Sequence, residues 1–267
     1  MPTVRVNDVQ LYYEETGTGF PLFLIMGFGS DCHAWVNQVP EFSKRYRTIV
    51  YDHRGVGGSD KPAGGYSIRQ FSDDAAALLR SVGVNRAHVV GYSMGGRVAQ
   101  DFAARYPDLV QSLVLAATAA NLNPLNHFAL KAGAYLYEKF GPEAEAALGP
   151  VIGYTRAYFG KKLPELVAGI GKPIAKAMPA HAYLGHVRAI EEHDTTGVLA
   201  QIKAPTLVLL GDQEWLNALP DSQVLVSGIP GARLQVLPGG GHSFHWEIPE
   251  TFNRAVLEFL DQHSARR

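Results

Sequence analysis

Hydrophobic residues along this 267-residue chain first recur with the spacing of β-strands. Strands are predicted at 3–6 and 9–15, and the second of these, VQLYYEE, alternates. The runs PLFLIM (21–26) and RTIVYD (47–52) are nearly unbroken, as in strands covered on both faces. A helix-like segment at 33–45 separates them. We therefore expect these two runs inside a parallel or mixed sheet.

Helical spacing becomes clear after Ser67. Ser67 and Gln70 fit a capping box, and apolar residues then recur at helical intervals as far as Gly83. This predicted helix leads into three further segments, namely a strand at 87–92, a helix at 94–107 and a strand at 111–118. Such alternation requires right-handed crossovers and predicts an α/β fold with a mostly parallel sheet.

The alternation stops near residue 121 and returns near residue 197. The intervening segment reads as helices interrupted by Gly-Pro, Leu-Pro and Lys-Pro steps, with no convincing strand. Alternation then resumes with a strand at 205–211, a helix near 220–229, a strand at 232–238 and an amphipathic helix at 249–263. The pattern predicts one α/β core formed by residues 1–120 and 197–267, with a helical cap inserted at 121–196.

Composition and charge exclude several classes of protein. The 24 basic and 25 acidic residues give a formal net charge of −1, which offers nucleic acid no broad positive field. Apolar stretches such as 22–29 and 113–120 are too short to cross a bilayer. The ten histidines are scattered rather than set at metal-ligand spacings, so we expect no metal. We expect no other cofactor either.

Cysteine content and the first residues bear on location. The single cysteine, Cys32, cannot form an internal disulfide, and MPTVRVNDVQ lacks the pattern of a secretory signal. A cytoplasmic protein is the interpretation that fits both observations. The sequence leaves open whether the chain forms a homo-oligomer.

The segment GYSMGG (91–96) places Ser93 between two glycines, where a predicted strand meets a predicted helix. Ligands of open α/β sheets bind beyond the carboxyl ends of strands. A strand that turns at once into a helix strains its corner residue, so neighbours without bulk, Gly91 and Gly95, are needed. An ordinary Gly-Ser-Gly turn is the simpler explanation of the motif. The strand before it and the helix after it favour a catalytic nucleophile.

A nucleophilic serine needs a histidine as base and a carboxylate that orients the histidine. His242 follows three glycines after the last predicted strand, and those glycines would let the backbone approach the serine. His245 is the alternative base, but it lacks this approach and is expected to pack beside the site. For the acid, GDQEW offers Asp212 and Glu214; a carboxylate directly after a glycine is more often a turn or cap residue.

Four segments in order resemble the α/β-hydrolase superfamily: GYSMGG, DHRGVGGSD (52–60), GDQE (211–214) and PGGGHSFHWEIPETFNRAVLEFL. The resemblance covers essentially the whole chain. It implies the α/β-hydrolase fold, a mostly parallel sheet flanked by helices, with a helical cap insertion. It also implies that Glu214 is the acid, although most members carry aspartate there. The segment 52–60 is chiefly architectural in this family.

The same resemblance implies an oxyanion hole formed by the backbone N–H groups of Phe28 and Met94. The usual motif has a histidine at the position of Met26, which we expect to alter loop packing more than mechanism. GYSMGG, MGFG and PGGGH are most similar to the corresponding segments of esterases and enol-lactonases. Cys32 has no glycine-framed corner or partner base and is expected to be a packing residue.

These observations predict a serine hydrolase that cleaves a small or medium, largely uncharged carboxylic ester or lactone through an acyl-enzyme. Alternatives are a cofactor-free peroxidase or a carbon-carbon bond hydrolase with the same triad, and a non-catalytic ligand-binding protein of this fold. Aromatic residues of the predicted cap would roof the substrate pocket, although any one of them is more readily explained by packing within the cap: Phe128, Tyr135, Tyr137, Phe140, Tyr154, Tyr158, Phe159 and Tyr183.

Overall fold

An eight-stranded sheet forms the centre of the computed structural model, which describes residues 2–174 and 177–264. Its strands are β1 (Thr3–Val6), β2 (Val9–Thr16), β3 (Pro21–Ile25), β4 (Arg47–Tyr51), β5 (Ala87–Tyr92), β6 (Val110–Ala116), β7 (Thr206–Gly211) and β8 (Arg233–Leu237). Their order is β1-β2-β4-β3-β5-β6-β7-β8. Only the β1–β2 and β2–β4 pairs are antiparallel, so the predicted mostly parallel sheet is confirmed.

Eleven α-helices alternate with or follow these strands along the described part of the chain. They are α1 (Val39–Phe42), α2 (Ile68–Ser81), α3 (Met94–Arg105), α4 (Pro124–Phe140), α5 (Pro142–Ala146), α6 (Gly149–Gly153), α7 (Arg156–Gly169), α8 (Ala180–Glu191), α9 (Leu219–Gly228), α10 (Phe244–Glu247) and α11 (Pro249–His263). Five of them, α4 to α8, fall between residues 121 and 196, where the described residues contain no strand. Every helix in the described part of the chain is too short or too polar to span a bilayer.

Two apolar layers cover the sheet, one on each face. Phe23 and Ile25 of β3 belong to the layer that includes α2 and α3, whereas Leu22 and Leu24 belong to the layer that includes α11. All four side chains are fully buried because successive residues of a strand point to opposite faces. Burial of each such side chain contributes about 2 kcal/mol, which explains why β3 carries no polar residue.

The predicted helix at 33–45 is wrong. The structure has a short 3₁₀ helix at Cys32–Trp35 and then α1, with Pro40 in its first turn. Proline suits the first turn of a helix but removes a hydrogen bond and clashes inside one, so a continuous helix through Pro40 is disfavoured. By contrast, α2 begins as predicted, and the Ser67 hydroxyl accepts a hydrogen bond from the backbone N–H of Gln70 at 3.0 Å.

Candidate active site

Ser93 is the corner residue between β5 and α3, as the sequence predicts. Its backbone has φ 53° and ψ −119°, a strained conformation for a residue with a side chain. A Cβ on Gly91 would lie 2.5 Å from the carbonyl oxygen of Gly95, and a Cβ on Gly95 would lie 2.1 Å from that of Ile25. Both glycines are therefore required by close backbone contacts around the corner.

The structure brings Ser93, His242 and Glu214 together. His242 Nε2 lies 3.0 Å from Ser93 Oγ, and His242 Nδ1 lies 2.6 Å from Glu214 Oε2. In the tautomer with its hydrogen on Nδ1, the imidazole donates to Glu214 and accepts from the Ser93 hydroxyl. This arrangement can transfer the hydroxyl proton to the imidazole and thereby generate a nucleophile.

Glu214 is held in place by the backbone that follows it. Its Oε1 accepts hydrogen bonds from the N–H groups of Leu216 (2.7 Å) and Asn217 (3.1 Å), which leaves Oε2 for His242. Asp212 is exposed, and its Oδ1 accepts a hydrogen bond from Gly239 N–H at 2.8 Å. Glu214, and not Asp212, is therefore the carboxylate in contact with His242.

His245 lies beside the site but makes no hydrogen bond with Ser93. Its ring packs against Tyr92, with centroids 4.1 Å apart, and against Trp35 at 5.6 Å. Burial lowers the pKa of His245 to about 3, so the ring is neutral near pH 7. His245 therefore packs as expected, and its backbone carbonyl accepts a hydrogen bond from Gln38.

Phe28 and Met94, the expected oxyanion-hole residues, line the same cavity as Ser93 and His242. Met94 is the first residue of α3, where backbone N–H groups have no partner within the helix. Neither N–H donates a hydrogen bond to another group of the described residues. Both donors are therefore free to bind a negatively charged oxygen.

The cavity that adjoins Ser93 has a volume of about 480 Å³. Eight aromatic residues were expected to roof this cavity. Of these eight, Tyr154 and Tyr183 line it. Phe128, Tyr135 and Phe140 are exposed instead, at 72%, 58% and 65%. Aliphatic residues supply most of the remaining apolar lining, including Leu130, Leu148, Ile152, Ile190 and Leu216.

A family model described as the alpha/beta hydrolase fold matches residues 21–249. The chain belongs to the α/β-hydrolase family. Among its relatives, "3-oxoadipate enol-lactonase 2" of Acinetobacter baylyi is 31% identical over 259 residues, covering 95% of this chain and 94% of that one. "Putative carbamate hydrolase RutD" of Azorhizobium caulinodans is 29% identical, covering 98% and 99%.

The structure of an enol-lactonase from Burkholderia xenovorans is similar to this α/β-hydrolase, with a TM-score of 0.88 and 28% identity. The match covers 97% of this chain and 100% of that one. These findings confirm the predicted fold class and the resemblance to the enol-lactonase branch. Together with the family, they identify the chain as a hydrolytic enzyme.

Sequence reasoning missed two residues that support the site of this α/β-hydrolase. His53 Nε2 lies 3.0 Å from the carbonyl oxygen of Met26, just before Gly27 and Phe28, and His53 Nδ1 lies 3.2 Å from the Tyr51 hydroxyl. Burial lowers the pKa of His53 to about 4, so the neutral ring donates from Nε2 and holds the loop that contains Gly27 and Phe28. His53 belongs to the segment 52–60, whose architectural role in the family was the one indication in the sequence that this residue supports the site.

Glu247 is the second of these residues. Its Oε2 accepts from Gly241 N–H at 2.7 Å and its Oε1 from Thr155 N–H at 2.6 Å. One carboxylate thus joins the loop that carries His242 to the start of α7. No sequence motif pointed to it. The Gly241 contact is local, but the Thr155 contact joins residues 92 positions apart and depends on how the segment before α7 packs.

Three potential metal ligands lie together elsewhere in the α/β-hydrolase. Ligand atoms of Glu14, Cys32 and His33 lie within 4.8 Å of one another. Burial raises the pKa of the Cys32 thiol, and the thiolate is the form that binds metals. The buried, protonated thiol is consistent with the predicted packing role of Cys32.

Proposed function

We propose that the protein is a serine hydrolase that cleaves carboxylic esters or lactones through an acyl-enzyme on Ser93. The observation that carries the proposal is the continuous hydrogen-bonded chain from Ser93 Oγ through His242 to Glu214, at 3.0 and 2.6 Å. A strained corner presents this serine to a cavity large enough for a small substrate.

The reaction begins when His242 Nε2 takes the proton of the Ser93 hydroxyl while Oγ attacks the substrate carbonyl carbon. The oxyanion that forms accepts hydrogen bonds from the N–H groups of Phe28 and Met94, each contributing about 3 kcal/mol to transition-state stabilisation. His242 then donates its proton to the leaving oxygen. Glu214 stabilises the transient imidazolium but keeps its own charge.

Deacylation repeats these steps with water as the nucleophile. His242 takes a proton from water, the hydroxide attacks the acyl carbonyl, and the acid leaves as Ser93 regains its proton. With a lactone, the alcohol released in the first step stays attached to the acyl chain. The products are therefore one hydroxy acid from a lactone, and an acid and an alcohol from an ester.

We further propose that residues 1–120 and 197–267 form the catalytic core and that 121–196 form a cap over it. Cavity-lining residues contributed by α4, α5 and α6 support this division, since they line the same cavity as Ser93 although they belong to the segment 121–196. A small-molecule substrate is consistent with the cavity volume. A cytoplasmic location remains a prediction of the sequence.

The decisive experiment compares wild type with Ser93→Ala on 4-nitrophenyl acetate and butyrate, together with a γ-lactone and an aryl carbamate. The carbamate is included because a relative carries that name. We expect Ser93→Ala to lower kcat by about 10⁴-fold or more. The matched control is Ser81→Ala, because Ser81 is an exposed serine on α2 that bonds only the Ala77 carbonyl oxygen.

A sulfonyl fluoride provides an independent measurement, because it should add covalently to Ser93 and to no other serine. Peptide mass spectrometry of wild type should locate the adduct on the peptide that contains Ser93. Equal turnover by wild type and Ser93→Ala, or modification at a different serine, would refute the proposed nucleophile.

A further inference from the structure

Arg97 is a buried cation on the helix that begins at the nucleophile. It lies four residues after Ser93 on α3, which corresponds to about 6 Å along the helix axis. Its side chain is only 2% exposed, and it lines the same cavity as Ser93 and His242. The mechanism proposed above assigns Arg97 no role.

The guanidinium of Arg97 has no counter-ion among residues 2–174 and 177–264. Its Nη1 and Nη2 atoms are buried without a hydrogen-bond partner in this part of the chain. Asp221 attracts the charge from a distance, but its Oδ2 accepts a hydrogen bond from Asn123 at 3.2 Å. The oxygen of the nearby Asn217 amide is already occupied by Asn126 at 2.9 Å.

Arg54 shows how the same fold treats an arginine that has only a structural role. It is 1% exposed, and its guanidinium binds both oxygens of Asp74 at 2.6 and 2.9 Å. Asp8 and the carbonyl of Gly65 accept its remaining hydrogen bonds. A buried charge is costly unless it is paired. The unpaired guanidinium beside the cavity therefore needs an explanation other than a structural role.

The charge of Arg97 persists at neutral pH. Burial lowers its pKa to about 10, which still leaves the group protonated near pH 7. Glu145, a carboxyl that lines the same cavity, would repel an anion if it were ionised. Burial raises the pKa of Glu145 and so reduces that repulsion.

We propose that Arg97 binds a carboxylate carried by the substrate, so that the enzyme prefers esters or lactones with a free carboxylate near the reacting carbonyl. The planar guanidinium offers two parallel N–H donors that match the two oxygens of a carboxylate. This inference rests on the proposed function and narrows it. It also replaces the sequence-based expectation of a largely uncharged substrate.

The kinetic test uses pairs of substrates that differ only in this charge. One pair is the 4-nitrophenyl monoester of glutaric acid and its methyl-capped diester; a second pair places the carboxylate or its methyl ester on the alcohol part of a phenyl butyrate. We expect wild type to favour the anionic member of at least one pair by about 10- to 100-fold in kcat/KM, mainly through KM. Arg97→Met should reduce this ratio to about one.

Arg105→Met is the matched control for Arg97→Met. Arg105 lies on the same helix, but its guanidinium pairs with Asp73 and Asp101, which do not line the cavity. It should keep the wild-type preference. Arg97→Lys, which retains the charge but not the fork of donors, should give an intermediate ratio.

A binding measurement separates failure of this inference from failure of the proposed function. Glutarate should raise the thermal unfolding temperature of wild type and Ser93→Ala but not of Arg97→Met, and glutaramide should have no effect. Hydrolysis of the neutral esters with no Arg97-dependent preference in either pair would overturn the carboxylate site and leave the serine hydrolase intact. If no ester is hydrolysed, the proposed function fails, and the glutarate shift alone decides the carboxylate site.

Discussion

Replacement of Glu214 by glutamine should stop catalysis by reversing the tautomer of His242. Glu214 Oε1 accepts two backbone hydrogen bonds, from Leu216 and Asn217, at 2.7 and 3.1 Å. In Glu214→Gln only the amide oxygen can accept them, so the NH₂ group must face His242. An NH₂ group donates, which forces Nδ1 to accept and moves the ring hydrogen to Nε2.

A hydrogen on Nε2 blocks the atom that must take the proton of Ser93. The corresponding change in a Ser-His-Asp protease lowers kcat by about 10⁴-fold, or about 5 kcal/mol of activation free energy, and we expect a loss of that size here. KM should change little, since Glu214 does not line the cavity. The unfolding temperature should also change little, because the amide has the same shape and keeps both backbone bonds.

The assay is hydrolysis of 4-nitrophenyl butyrate by wild type, Glu214→Gln and Asp212→Asn. Asp212→Asn is the matched control because its Oδ1 accepts only the hydrogen bond of Gly239 N–H, at 2.8 Å, which an amide oxygen can also accept. We expect it to retain kcat within about twofold. A Glu214→Gln enzyme with more than a tenth of the wild-type kcat, or an equal loss in Asp212→Asn, would refute the reasoning.

Two further predictions concern stability. Gly95→Ala adds a methyl group 2.1 Å from the carbonyl oxygen of Ile25 and 2.5 Å from that of Met26, so it should destabilise the fold by about 3 kcal/mol in urea unfolding. The control Gly160→Ala has open space in α7 and should be neutral or stabilising; equal effects would contradict the steric argument. The second prediction is that acidification destabilises the protein, because five buried histidines have their pKa lowered to about 3 or about 4 whereas the unfolded chain binds protons from about pH 6.5. The unfolded state then binds more protons, so stability should be full above pH 6.5 and fall towards pH 4, by about 2 kcal/mol per histidine between pH 7 and 5. Urea unfolding at pH 7 and pH 5 measures this loss of stability, and equal free energies of unfolding at the two pH values would contradict the prediction. The five buried histidines are His53, His88, His186, His193 and His245.

The order of strands and helices and the position of Ser93 at a strand-to-helix corner could be predicted from the sequence, because both are encoded locally. The unbroken run PLFLIM indicates a strand buried on both faces, and β3 is such a strand. Gly91 and Gly95 indicate the corner at Ser93. The backbone atoms that exclude a side chain at these two positions belong to the corner itself or to the end of the adjacent strand β3, so the requirement for glycine is local.

What only the tertiary structure decided depends on segments that are distant in sequence. The residues of GDQEW alone offer both Asp212 and Glu214, and only the resemblance to the family favoured Glu214. The contact itself depends on the path of two loops, which brings Glu214 to a histidine 28 residues away. The helical periodicity of 33–45 gave no account of how Pro40 divides that segment. Arg97 has the same helical signature whether or not a carboxylate faces it. Among the described residues its Nη1 and Nη2 atoms have no hydrogen-bond partner, and the cavity that it lines is also lined by residues of α4 and α8, which are distant in sequence. Pairing across such distances leaves no trace in local periodicity.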